Sequence, residues 1–140
     1  MVPFNVLQTR EPDGRPRFHR ATSGTLLIGS GIAELRARLD VPGVAVAEQA
    51  NIQGVQWGKL LLNLNNPVNA LSGLALREQL LDRGFRRILA TLQDEALAAL
   101  RAAAIEPARL TPLPPGRIPA LLRLPTPVFR LLAARMLRID

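Results

Sequence analysis

The 140-residue chain has no cysteine and no tyrosine, and it has one histidine, His19, and one lysine, Lys59. Without cysteine there is no disulfide framework and no thiolate metal site. A single histidine also excludes a multi-histidine metal centre. No run of about 18 apolar residues occurs, so no membrane span is expected. The first ten residues lack the basic-then-apolar order of a secretion signal, and a cytoplasmic address is the default expectation. Aromatic residues are 4% of the chain, too few to build a base-stacking surface. The net charge of +7 points to anionic partners, but the arginines are dispersed rather than clustered, from Arg10 and Arg15 through Arg36 and Arg38 to Arg83, Arg86 and Arg87. Nucleic acid is therefore not an expected partner.

What is present divides the chain near residue 50. Residues 1–50 read as α/β. Val2 to Leu7 has strand character, Glu11-Pro12-Asp13-Gly14 is turn chemistry, and a second strand is expected over Phe18 to Ile28. Ile32, Leu35 and Leu39 repeat at helical spacing, Pro42-Gly43 ends that helix, and Val44 to Val46 fits another short strand. From Asn51 the pattern is helical throughout. Asn51 suits an N-cap for a helix running past Lys59. A long helix is expected over about Phe85 to Ala104, with Ile88, Leu92, Glu95 and Ala99 at helical spacing. Seven prolines between 107 and 127 allow only short helical pieces. A last helix, Val128 to Leu137, is expected to turn Val128, Leu131, Leu132 and Met136 inward and Arg130, Arg135 and Arg138 outward.

The lone lysine is the most informative residue. Of the 18 basic side chains 17 are arginine, so a mere surface charge at 59 would have an obvious alternative. Lysine differs in that it can release a proton under ordinary conditions, whereas arginine stays charged. Each helical residue turns about 100°, which aligns Lys59, Asn63 and Asn66 in one stripe, with Gln56 at its edge and Leu61, Leu64 and Val68 opposite. An ammonium followed by two carboxamides suits an α-keto acid. The ammonium addresses the ketone oxygen, where charge develops on reduction, and the amides bind the carboxylate or a hydroxyl. Pro67 cannot donate to the Asn63 carbonyl, so a bend is expected beside the stripe. The plainer alternative is a solvated polar face on an amphipathic helix.

The run from Gln56 to Gly73, with Trp57-Gly58-Lys59-Leu60-Leu61-Leu62-Asn63 at its centre, resembles the opening helix of the C-terminal domain of ketopantoate reductase, the 2-dehydropantoate 2-reductase family. Val2 to Val6 and His19 to Gly24 resemble the last strands of that family's nucleotide domain, and Leu121 to Pro125 with the following helix also agrees. The resemblance implies an α+β fragment: residues 1–50 as the remainder of a Rossmann-type nucleotide-binding domain, and residues 51–140 as a truncated helical substrate domain. It implies Lys59 as the general acid, Asn63 as substrate-binding and Asn66 as the motif's second asparagine. Some members place that asparagine one residue later, where this chain has Pro67.

The resemblance further implies NADPH as cofactor and reduction of ketopantoate to pantoate, on the route to pantothenate and coenzyme A. The family's glycine-rich cofactor loop is not found here. Gly29-Ser30-Gly31 mimics it, but Glu34 stands where close helix–strand packing needs a small residue. The serine and glutamate that complete the family's substrate site fall beyond Asp140. The chain is accordingly expected to be an incomplete piece, inactive alone. The alternative function is a non-catalytic helical interaction module, with a homodimer as the expected assembly.

Overall fold

The structure, a computed structural model, describes residues 6–10, 12–20 and 24–133. The expectations for Val2 to Asn5, Ala21 to Ser23, and Met136 with Arg135 and Arg138 fall outside them. The chain forms two compact units, Met1–Ile52 and Gln53–Asp140.

In the first unit, β1 (Val6–Arg10) and β2 (Pro16–Arg20) form an antiparallel hairpin, Val6 opposite Arg20 and Arg10 opposite Pro16. The turn is where Pro12-Asp13-Gly14 predicts it. Gly14 has φ +82°, and the Asp13 carboxylate accepts from the Arg15 N–H at 2.9 Å. The long strand expected over Phe18 to Ile28 is in fact two. β2 ends at Arg20, and β3 (Leu26–Gly29) belongs to a different sheet, pairing in parallel with β4 (Val46–Gln49) across the helix α1 (Ala33–Leu39). Conformationally free Gly24 lies between the two strands. Ile28 and Val46 are buried in this unit. The side chain of Asp40, at the end of α1, accepts from the Val46 N–H at 3.3 Å and fixes the entry to β4. The stripe of Ile32, Leu35 and Leu39 is exposed.

The second unit is all helical: α2 (Ile52–Asn63), α3 (Asn65–Ser72), α4 (Leu76–Leu81), α5 (Arg83–Ala102), α6 (Ile118–Arg123) and α7 (Thr126–Ala133), with a short 3-10 turn at Pro115–Arg117. The long helix α5 is its axis. Asp82 caps it, accepting from the Phe85 N–H at 3.1 Å. Its buried face is Arg86, Leu89, Ala90, Gln93, Leu97 and Leu100, at three- and four-residue spacing. The stripe of Ile88, Glu95 and Ala99 lies on the exposed side, with Leu92 half-buried beside it.

Two apolar clusters follow from this. Leu89 and Ala90 pack with Leu122, Phe129 and Ala133 of α6 and α7, whereas Leu97 and Leu100 pack with Leu61 of α2 and half-buried Trp57. Leu64 contributes to both and joins them.

The face of α7 differs from expectation. Phe129 and Ala133 point inward, while Val128, Leu131 and Leu132 are 44%, 78% and 60% exposed; Arg130 is exposed, as expected. An eight-residue helix is marginal alone. Burying the Phe129 ring, at about 1.5–3 kcal/mol, is the strongest anchor available, and Ala133 one turn on admits a close approach to α5. The prolines leave only short pieces, with Pro119 and Pro127 both in first turns where no N–H is needed. Among the described residues no helix is long and apolar enough to cross a membrane.

Candidate functional site

Lys59 and Asn63 lie one turn apart at the end of α2, and both are half-buried. The residues opposite them serve the core: Leu61 and Val68 are buried and Leu64 packs in both clusters. The bend expected near Pro67 is a break. α2 ends at Asn63, Leu64 keeps helical angles and donates to the Leu60 carbonyl at 3.1 Å, and α3 starts at Asn65. Pro67 is thereby the third residue of α3, in the first turn, where its missing N–H costs nothing. The single continuous stripe read from the sequence is corrected accordingly. Lys59 and Asn63 share one helix, and Asn66 is an exposed residue at the start of the next. Gln56, at the stripe's edge, is exposed.

The electrostatics around the lysine are simple. Among the described residues the carboxylates that form ion pairs are Asp13 with Arg15, Glu34 with Arg38, and Asp94 with Arg123. None of these involves the Lys59 ammonium.

The back of α2 is held in place by residues whose role the sequence pattern did not single out. Gly58 lets the loop after α5 cross the helix, and the Gly54 carbonyl one turn earlier on the same face anchors it. The Ala108 N–H donates to the Gly54 carbonyl at 2.8 Å, and a Cβ on Gly58 would collide with the Ala108 carbonyl oxygen. From the other side, Gln93 of α5 donates its amide to the Leu61 carbonyl at 3.3 Å, between Lys59 and Asn63 in sequence. Its side-chain oxygen, like that of Asn65, is buried without a partner among the described residues. A glutamine on the buried stripe of α5, between Ala90 and Leu97, was the one sequence sign of that contact.

A phosphate cradle is not found at the glycine pair of the first unit. Gly31 has φ +84°, and its N–H donates to a Glu48 carboxylate oxygen at 3.1 Å. The backbone donor that a pyrophosphate would use is engaged by an anion that would repel one. These residues do not fit a dinucleotide. Among the described residues no cluster of three or more histidine, aspartate or glutamate side chains is placed to hold a metal ion.

Comparison with family models gives one finding: the model described as the ketopantoate reductase PanE/ApbA C-terminal domain matches residues 51–134. Comparison with curated proteins and with solved structures gives no match.

Proposed function

The chain belongs to the ketopantoate reductase family through its C-terminal domain, and from that premise we propose that it carries the proton-donating, substrate-side part of a 2-keto acid reductase. The observation behind the proposal is the adjacency of Lys59 and Asn63 on one half-buried turn, with no carboxylate on the ammonium among the described residues.

Reduction of a ketone puts negative charge on its oxygen. An ammonium hydrogen-bonded to that oxygen stabilises the charge and gives up one proton, which leaves a neutral amine and an alcohol. Asn63 cannot ionise, so its amide serves to orient the substrate by donating to the carboxylate or accepting from a hydroxyl. Asn66 adds a second amide from the start of α3.

The substrate in this reading is ketopantoate, the product pantoate on the route to pantothenate and coenzyme A, and the reductant NADPH. The Gly29–Gly31 turn takes no part in holding that cofactor. The parallel β3–α1–β4 unit is read as the remainder of a nucleotide-binding domain, and the setting as cytoplasmic, without nucleic acid or membrane.

The test is NADPH-dependent ketopantoate reduction with a nucleotide-binding half supplied. Lys59→Ala is expected to lower kcat by about 10²–10⁴-fold, the usual worth of a positioned proton donor, and to raise KM as well, because the ammonium also hydrogen-bonds the bound ketone oxygen. A near-normal kcat would remove Lys59 from the chemistry.

A further inference from the structure

The last carbonyls of a helix have no N–H of their own helix to accept from. In α2 that set ends at Asn63. The Leu64 N–H serves the Leu60 carbonyl at 3.1 Å, and Pro67 has no N–H to give the Asn63 carbonyl. Leu61 lies between them, two residues from Lys59 and two from Asn63, and it is 4% exposed. A carbonyl at that depth cannot turn to water, and leaving it unpaired is costly. Its donor is the side-chain amide of Gln93, across on α5, at 3.3 Å.

Gln93 is itself 4% exposed. The Leu61 carbonyl can only accept, so the Gln93 NH2 must face it and the Gln93 oxygen must face away. That oxygen is buried without a partner among the described residues. An apolar side chain between Ala90 and Leu97 would carry no such penalty. What glutamine adds there is a hold on one carbonyl of the turn that carries Lys59 and Asn63. Helix ends fray first. Asn63, the last residue of α2, is therefore more dependent on that hold than Lys59, one turn deeper.

We propose that Gln93 is a positioning residue for the substrate. Through the Leu61 carbonyl it keeps the last turn of α2 wound, and so keeps the Asn63 amide in line with the Lys59 ammonium. Gln93 touches no substrate itself and acts through the backbone of α2. This role rests on the reading of Asn63 as substrate-binding.

The test compares the full isotope-labelled chain with Gln93→Met and Leu97→Val. Methionine is close to glutamine in volume and lacks the donor, so the variant is expected to fold, which circular dichroism checks. Leu97→Val, one turn along the same face, loosens the core around Leu61 and keeps the hydrogen bond. Without ligand, the Gln93 side-chain amide is expected to exchange slowly with solvent, and the Leu61 carbonyl carbon resonance to move upfield in Gln93→Met. Ketopantoate is then titrated into all three chains. Gln93→Met is expected to weaken binding about three- to tenfold, the worth of one neutral hydrogen bond, and Leu97→Val by less than about twofold. A Gln93 amide that exchanges as fast as an exposed one would overturn the hold on Leu61. An affinity unchanged in Gln93→Met, or lowered equally in Leu97→Val, would overturn the positioning role and leave the reading of Lys59 and Asn63 intact. A wild-type chain that does not bind ketopantoate would overturn that reading, and the substrate role of Gln93 with it.

Discussion

Arg86 and Arg87 are neighbours of the same type, yet Arg86 is fully buried while Arg87 is exposed. The difference lies in what each can reach. The Arg86 Nε donates to the Leu122 carbonyl at 3.0 Å. One terminal nitrogen donates to the carbonyls of Leu80 and Leu81, at 2.9 and 3.0 Å, and the other to the Leu124 carbonyl and the Thr126 hydroxyl, at 2.9 and 3.1 Å. All five guanidinium N–H groups are thus engaged. The four carbonyls belong to the ends of α4 and α6, where backbone acceptors are left over and the helix dipole is negative. The Phe129 ring lies 4.3 Å beneath the guanidinium carbon. Burial lowers the Arg86 pKa, with nearby Arg83 adding to the effect and Asp82 opposing it. Arginine nonetheless stays charged near neutral pH, so no pH dependence of stability follows there. A lysine has three donors instead of five and a more strongly hydrated charge. Arg86→Lys is expected to cost about 2–4 kcal/mol in chemical denaturation. A loss below about 0.5 kcal/mol would show that the five bonds do not hold α4 and α6 on α5. Nothing in the sequence separates Arg86 from Arg87 except its place on the buried stripe, and that stripe is clear only once the apolar face of α5 is fixed.

At the scale of elements, what was legible in the sequence was periodic and what was missed depended on partners. α5 is found over Arg83–Ala102 against an expectation of Phe85 to Ala104, because twenty residues give many turns over which the pattern can repeat. Its end is set by a detail the pattern hides. Ala104 takes φ +53°, and the Ile105 N–H returns to the Leu100 carbonyl at 2.9 Å, a closing motif that ordinarily uses glycine. An exposed alanine there bears the left-handed strain, so Ala104→Gly is expected to raise stability by about 1 kcal/mol, measured as a higher unfolding midpoint. An unchanged or lower midpoint would mean that the strain is relieved elsewhere. The inward face of α7 was misjudged because four apolar residues compete over two turns, and the choice of Phe129 is made by Arg86 and α5 rather than by α7. The bend near Pro67 was legible, since it follows from a missing N–H. That the interruption falls at Leu64, with Asn66 at the start of the next helix, was not visible in the spacing.

For the molecule as a whole, the change from mixed structure to all-helical structure near residue 50 was visible in composition and spacing. The separation of β2 from β3 was not, because strand pairing is decided by residues distant in sequence. Lys59 and Asn63 were legible as candidates through one unusual residue type at helical spacing. The groups behind them were not: Gln93 and the Ala108 loop reach α2 from 30 or more positions away. The family match over residues 51–134 places that pair in a ketopantoate reductase C-terminal domain, and the proposed role of the pair is to receive a 2-keto acid. The most direct measurement is a titration of the isotope-labelled chain with ketopantoate, followed by amide chemical shifts and repeated with Lys59→Ala. Saturable shifts concentrated at Lys59, Asn63 and Asn66 are expected, weakened at least about tenfold in affinity by the substitution, in line with loss of a charge-assisted hydrogen bond. Shifts that do not saturate, or that are the same in the Lys59→Ala chain, would contradict it.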